Sequence, residues 1–376
     1  MGFCRCMIDP LLLFRLRKSL WKETLIFGER TNLDLRYLNS VAAFALVVLI
    51  VYLLFIGRFL FLPLTIALVL WYVIISLTAL YQRIPFKKRL SHGFALFLAI
   101  VTTAIFLYLF FLMFTQSLPD LIEAAPAYQQ KLYQLLRWFN VLVGGGRLYL
   151  GQLMRQIDLK NIFSELPIIL SLTAANFTLV IVYLFFLLLE HRSFNQKLKL
   201  LCHSSKKYKK VTEIIKEITK DVNNYFKVKT LISLITALLS YFVLLEFKIN
   251  NAEFWSTFVF LLNYIPYIGP LIAVVTLLIV ASIQVTQLVP FIFLGILLTA
   301  IQIILGNFVE PKWLGVRLNL SPLVILLSLA FWGSIWGFIG LFLSVPIMVI
   351  LTIILGKFPK TRPIAVMLSA TGEVDS

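Results

Sequence analysis

The sequence has few of the residues on which soluble domains and enzymes depend. Only 14% of its 376 residues are charged, against about 25% in soluble domains. Three cysteines and three histidines are scattered along the chain, without the spacing of a disulfide framework or a metal site. Motifs for phosphate binding, zinc proteolysis and a nucleophile elbow do not occur. The sequence therefore predicts no enzyme activity, no cofactor and no metal site.

Apolar residues are abundant instead. They make up 60% of the chain, and several apolar runs exceed the roughly 20 residues that a helix needs to cross a bilayer. We expect an all-α, polytopic helical membrane protein with about eight transmembrane helices. In the C-terminal half, proline and glycine interrupt two apolar runs that are too long for one straight crossing. Those runs predict broken or re-entrant elements.

Composition and charge divide the chain into successive segments, two of which are amphipathic and interfacial. The segments are a basic cytoplasmic amphipathic arm at 1–37, three transmembrane helices within 38–114, an extracytoplasmic amphipathic insert at 115–165, a fourth transmembrane helix at 166–189, a basic cytoplasmic amphipathic segment at 190–228, a C-terminal transmembrane bundle at 229–356 and a cytoplasmic tail at 357–376.

The net charge of +17 follows membrane topology rather than one basic domain. The arm, the loop at 81–90, the segment at 190–228 and the tail hold 24 of the 34 Lys and Arg residues. Because basic loops stay in the cytoplasm, we expect both termini there and Glu310 at the outer end of the seventh span. Lipid is the expected surrounding, and no nucleic-acid partner is expected.

A first candidate site is the stretch from Asn263 to Pro270. Its prolines remove backbone donors and its glycine permits backbone angles that other residues avoid. Helices broken in this way are common at the substrate sites of transporters. The alternative is a structural kink or a loop between two spans. The candidates for a solute path are Asn263, Pro266, Tyr267, Gly269 and Pro270.

A second set of path candidates ends the next apolar run. Asn307 and Glu310 are three residues apart, a spacing that shares one face of an α-helix. An acid beside a membrane span is a functional candidate, and Glu310 is the best placed for proton or cation coupling. The alternative is an interfacial Glu310 paired with Lys312 or Arg317. The candidates are Gln302, Asn307, Glu310 and Pro311.

Three glycines in the last apolar run form a face of small residues. Gly333 and Gly337 have GxxxG spacing, and Gly340 follows. Such a face allows close helix packing in membranes. We assign these glycines to helix packing.

Further short elements follow the two candidate stretches in a fixed order: Leu314-Gly315, Leu320-Ser321-Pro322, the glycine run from Trp332 to Gly340, and Ser344-Val345-Pro346. In order and spacing, all of these elements resemble the AI-2E (autoinducer-2 exporter) family of bacterial transporters. The resemblance extends from about Asn39 to Leu355, and Gly306–Pro311 is similar to the branch that exports the quorum-sensing signal. One departure is Tyr225–Lys229, which stands where family members often have a Gly-Gln pair.

The resemblance implies a multi-pass permease of the bacterial inner membrane that exports a small polar solute such as autoinducer-2. It also leaves open exchange of Na⁺ or Li⁺ for H⁺, with Glu310 as the coupling acid. A non-transporting membrane scaffold is a third interpretation, suggested by the two amphipathic segments. The resemblance and the glycine face together allow a homo-oligomer.

Overall fold

The computed structural model describes residues 37–38, 41–83, 91–142, 159–202, 204–314 and 319–373. Residues 1–36 of the basic arm, residues 84–90 of the basic loop and residues 143–158 of the insert therefore lie outside the described residues. The helices in chain order are α1 (Val41–Ile56), α2 (Arg58–Arg83), α3 (His92–Leu142), α4 (Leu159–Leu201), α5 (Ser205–Glu246), α6 (Ala252–Leu262), α7 (Ile268–Gln284), α8 (Leu288–Leu314), α9 (Pro322–Gly356) and α10 (Arg362–Leu368).

Long apolar helices dominate the described residues. Five of them are long and apolar enough to cross a membrane, namely α2, α3, α5, α8 and α9. Large apolar side chains on their outer faces are exposed, for example Phe106 and Phe242, as expected for a surface that faces lipid. The prediction of a polytopic helical membrane protein is confirmed. The chain divides into two compact units, Met1–Phe59 and Leu60–Ser376, and the geometry below lies within the second.

Two helices continue past the predicted ends of their spans. α3 includes the third predicted span and part of the insert at 115–165, where the ring of Tyr128 meets Trp255 edge-on at 6.4 Å between centroids. α5 joins the basic segment to the fifth predicted span without a break. In both helices one part is apolar on all sides and the other part is apolar on one face only. That change alters what surrounds a helix but does not end it.

The predicted re-entrant element at 254–283 is a helical hairpin formed by α6 and α7. Its turn contains Pro266, which lacks a backbone N–H and cannot continue an α-helix. Gly269 lies so close to α6 that a Cβ there would be 1.8 Å from the carbonyl oxygen of Leu262. At the open end, the backbone N–H of Asn250 donates to Gln284 Oε1 at 2.7 Å. Both ends of this first hairpin therefore lie at the same end of the bundle.

Helix α9 is a second hairpin, with its turn at Gly337. This residue has φ +62° and ψ −139°, a conformation that favours glycine. Across the turn, Ser328 Oγ donates to the carbonyl oxygen of Ser344 at 3.1 Å. The two arms of α9 are therefore antiparallel neighbours.

The three glycines assigned to helix packing lie within this second hairpin. Gly337 makes the turn, and a Cβ on Gly340 would be 1.9 Å from the carbonyl oxygen of Trp332. A Cβ on Gly333 would be 2.7 Å from Leu341 Cδ2. The small residues allow the two arms of one helix to approach each other. Their spacing therefore gives no separate support to a homo-oligomer.

The two hairpins enter the bundle from opposite ends. Next to the open end of the first hairpin, the rings of Phe247 and Phe293 lie 6.3 Å apart, where α5 ends and α8 begins. At the open end of the second hairpin, Lys357 pairs with Glu217 of α5 at 2.9 Å. Helix α8 therefore runs antiparallel to α5, and its C-terminal end returns to the end of the bundle where the basic segment lies.

This path corrects the predicted position of Glu310. The sequence-based topology placed Glu310 at the end opposite to the basic segment, because it counted 254–283 as a single crossing. In the structure Glu310 contacts Lys229, which directly follows the basic segment on α5. The error arises because a hairpin reverses the direction of every span after it, whereas apolar length alone does not distinguish a hairpin from a crossing.

Cysteine labelling of intact cells tests the two hairpins. In a background without the native cysteines, we expect Gln287→Cys and Lys357→Cys to react from opposite sides of the membrane. A membrane-impermeant maleimide should label Gln287→Cys directly and Lys357→Cys only after permeabilisation, with Lys248→Cys as a directly labelled control. If 254–283 and 321–355 each crossed once, Gln287 and Lys357 would lie on the same side. Labelling of both only after permeabilisation would therefore contradict the hairpins.

Candidate functional site

A stripe of polar side chains on α5 faces the interior of the bundle. Lys229, Ser233, Thr236 and Ser240 are each at most 2% exposed, and their spacing of three or four residues places them on one helical face. Polar groups inside a membrane bundle are costly and need partners. The partners of this stripe therefore locate the candidate site.

The strongest of these contacts is an ion pair between α5 and α8. Lys229 Nζ donates to Glu310 Oε1 at 2.6 Å, and the side chains are 2% and 14% exposed. Burial of a charge costs several kcal/mol unless an opposite charge compensates it. Lys229 thus takes the role that the sequence-based alternative gave to Lys312 or Arg317. Arg317 lies outside the described residues.

A π-helical turn at Ile304–Val309 directs Glu310 toward α5. The backbone N–H of Glu310 donates to the carbonyl oxygen of Leu305, five residues back. In a regular α-helix, Val309, four residues after the buried Leu305, would lie on the same face as Leu305. The wider turn places Glu310 on that face instead. Pro311 accounts for the wider turn, because its ring would clash with the carbonyl of Asn307 in an α-helix.

The turn of the first hairpin is held against α5 by two side-chain hydrogen bonds. Asn263 Nδ2 donates to Ser233 Oγ at 3.2 Å. The hydroxyls of Tyr264 and Thr230 lie 2.7 Å apart. On its other side, the ring of Tyr264 lies 4.6 Å from the ring of Phe342 in α9. The two hairpins therefore meet beside the polar stripe.

Tyr225 adds an unsatisfied hydroxyl to the same region. Its side chain is buried, and its hydroxyl makes no hydrogen bond within the described part of the chain. It lies one helical turn before Lys229, on the same face of α5. Buried hydroxyls are usually hydrogen-bonded. A water molecule or a polar solute would satisfy this one.

These residues together form what we call the central polar cluster: Tyr225, Lys229, Thr230, Ser233, Asn263, Tyr264 and Glu310. It combines an ammonium, a carboxylate, an amide and several hydroxyls, and all of its members except Thr230 and Glu310 are buried. Such a set can donate to and accept from a small polar molecule on several sides.

Comparison with known proteins identifies the type of protein. A family model described as "AI-2E family transporter" matches residues 43–360. The chain belongs to the AI-2E transporter family. This membership confirms that it is a transport protein rather than an enzyme.

Individual members of the AI-2E family are similar over different lengths. A "Putative transport protein" of Haemophilus influenzae is 30% identical over 292 residues, which cover 75% of this chain and 83% of that protein. A "Putative transport protein" of Borreliella burgdorferi is 33% identical over 52% of this chain and 54% of its own length. The "AI-2 transport protein TqsA" of Escherichia coli is 36% identical over 163 residues, which cover 41% of this chain and 45% of that protein.

The predicted path residues of this AI-2E transporter occupy different positions. Asn263 and Glu310 lie in the central polar cluster, and Gln302 is buried one turn before Leu305 on α8. Asn307 is exposed, so it does not share the face of Glu310. The remaining candidates shape the helices: Pro266, Tyr267, Gly269 and Pro270 form the turn of the first hairpin and the start of α7, and Pro311 follows the π-helical turn.

The α5 members of the cluster were missed by the sequence-based assignment. A signal for Lys229 and Ser233 is present, since with Thr236 and Ser240 they recur at helical spacing through an apolar run. Lys229 was treated as the boundary of the fifth span. In this AI-2E transporter it lies within a continuous helix and is buried.

Proposed function

We propose that this AI-2E transporter exports a small polar solute, such as autoinducer-2, from the bacterial cytoplasm across the inner membrane, with both termini in the cytoplasm. We place the solute path at the central polar cluster. The observation that carries the proposal is the meeting of two hairpins from opposite ends, at Tyr264 and Phe342, beside buried polar groups. The partial similarity to a protein named for AI-2 transport supports the choice of solute.

Each hairpin extends from one end of the bundle toward the cluster. The first hairpin reaches from Asn250 to Asn263, which contacts α5 at Ser233. The second hairpin approaches from the end that carries Glu217 and Lys357. Discontinuous elements of this kind line the binding sites of transporters that alternate access between the two sides. Movement of one hairpin at a time would expose the cluster to one side only.

The side chain of Asn263 tests the path. We expect Asn263→Ala to slow efflux of autoinducer-2 from loaded proteoliposomes about tenfold, as expected for loss of one hydrogen bond to the solute. Asn307→Ala is the matched control, because the same change on the exposed face of α8 should leave efflux within about twofold. Both variants are compared at equal amounts of folded protein. Equal efflux rates for the two variants would contradict the proposed path.

Na⁺(Li⁺)/H⁺ antiport, with Glu310 as the coupling acid, is the alternative function. The partial burial of the Glu310 carboxylate, 14% exposed, is the observation that favours it, whereas the ion pair with Lys229 counts against it. It predicts Na⁺ flux with a steep pH dependence in vesicles, whereas a passive exporter of a neutral solute should show none. A non-transporting scaffold would show no solute flux and a stable protein partner; family membership favours transport.

A further inference from the structure

The carboxylate of Glu310 already has a cation. The Lys229 ammonium lies 2.6 Å from Glu310 Oε1 and is 2% exposed. The next described ion pair that involves α5 joins Lys357 to Glu217. Glu217 is 12 residues before Lys229, or about 18 Å along the helix. Lys227 and Lys312, the basic residues nearest in sequence to the pair, are exposed. Within the described residues, the Lys229–Glu310 pair is therefore balanced by itself, with a sum of charges of zero.

We propose that Lys229 is a built-in counter-cation, which makes the central polar cluster select net-neutral, hydroxyl-bearing solutes and prevents inorganic cations from binding at Glu310. The solute part rests on the proposed function. An ion entering beside a balanced pair brings a charge that no group in the cluster compensates, and uncompensated charge is expensive in a low-dielectric interior. Sodium would have to displace the ammonium from Glu310.

Neutral hydroxyls meet suitable partners in the same place. The Tyr225 hydroxyl is buried and has no hydrogen-bond partner within the described residues. The ammonium of Lys229 has three donors, of which Glu310 takes one in the observed contact. The Asn263 amide retains an acceptor oxygen while its nitrogen donates to Ser233. A small solute with several hydroxyls can use these groups without bringing a charge.

Removal of the lysine charge should expose a cation site. In Lys229→Gln the side chain keeps similar length but no longer neutralises Glu310. The carboxylate is then left without a counter-charge in a cluster that also holds the hydroxyls of Tyr225 and Thr230 and the amide oxygen of Asn263. Carboxylate, hydroxyl and amide oxygens are the ligands that hard cations prefer. Sodium or lithium should therefore bind this variant and stabilise it.

Thermal unfolding of purified protein in NaCl, LiCl and choline chloride tests the proposal. Wild type should unfold at the same temperature in all three salts at equal ionic strength. K229Q should gain about 2–4 °C in NaCl or LiCl over choline chloride, as expected for partial saturation of one site. The double variant K229Q/E310Q, which lacks both charges, should lose this gain. A sodium-dependent shift in wild type, or none in folded K229Q, would overturn the proposal.

Recovery of K229Q is a second readout if its unpaired carboxylate impairs folding. Higher yield of folded K229Q from NaCl than from choline chloride supports a cation site, with K229R as a control that keeps the charge. Equally low yields in both salts count against the proposal, because a bound cation would replace the missing charge.

Solute flux separates this inference from the proposed function. Wild type should export a neutral hydroxylated solute at the same rate in sodium and choline media. In K229Q, sodium should slow export of that solute at least severalfold, because it occupies the cluster. If wild type exports no polar solute but K229Q shows the sodium-dependent shift, the proposed function fails and Lys229 remains the counter-cation. If wild type exports the solute and sodium changes neither the unfolding temperature nor the export rate of K229Q, the inference is overturned and the proposed function stands.

Discussion

Replacement of Glu310 with Gln is expected to lower the free energy of unfolding by about 3–5 kcal/mol, since it leaves a buried ammonium without a counter-charge. Lys229 is 2% exposed and pairs with Glu310 at 2.6 Å, so water cannot compensate the lost carboxylate. Unfolding of purified protein in detergent, followed by circular dichroism, measures the change. The double variant K229Q/E310Q should recover most of the lost stability, because neither charge then remains buried. The cycle of single and double variants gives the coupling of the pair.

The same chain contains a matched control for this ion pair. Lys197 and Glu190 also pair, but their side chains are 57% and 53% exposed. Exposed pairs contribute about 0–1 kcal/mol, so Glu190→Gln should change stability by less than that amount. Equal effects of Glu190→Gln and Glu310→Gln would show that burial does not decide the strength of the pair. A double variant no more stable than Glu310→Gln would indicate that Glu310 acts through other contacts.

Gly340→Ala is expected to disrupt the second hairpin. The added Cβ would lie 1.9 Å from the carbonyl oxygen of Trp332 and 2.5 Å from its carbon. Backbone atoms cannot move aside as a flexible side chain does, so the arms of α9 must separate. We expect a loss of about 3 kcal/mol or more, at the upper end of overpacking effects, and a large decrease in folded protein. Yield and thermal unfolding after size-exclusion chromatography measure both.

Other glycines separate this steric effect from a general effect of alanine. Gly269→Ala should be similarly damaging, because its Cβ would lie 1.8 Å from the Leu262 carbonyl oxygen in the first hairpin. Gly306→Ala should be tolerated within about 0.5 kcal/mol, since its Cβ would meet nothing within 4 Å. If Gly340→Ala were as stable as Gly306→Ala, the two arms of α9 would not be in the observed contact.

The sequence predicted the interrupted elements but not their direction. Pro266 and Gly269 identified a break by their backbone chemistry, and the structure has a helical turn there. Whether the chain then continues across the bundle or returns depends on what α7 packs against. The contact of Asn250 with Gln284 joins residues 34 apart. No local pattern contains this information, and the predicted position of Glu310 was wrong for this reason.

The role of Glu310 was also only partly accessible from the sequence. Its place beside an apolar run made it a functional candidate, but its partner is 81 residues away on α5. The expected sharing of a face by Asn307 and Glu310 assumed a regular α-helix. The π-helical turn before Pro311 changes that register and leaves Asn307 exposed. Proline chemistry accounts for the wider turn once it is seen, although the sequence did not require it.

By itself, the sequence determined the class of this protein and the family to which it belongs. Apolar length and scarce charge require a membrane bundle. The family is identified by short motifs in a fixed order, and these can be recognised in the sequence alone. Only the tertiary structure decided that two elements are hairpins from opposite ends and that Lys229 neutralises Glu310 between them. These facts depend on contacts between distant segments, where the cost of burying each charge is met by a partner that the linear chain does not place beside it.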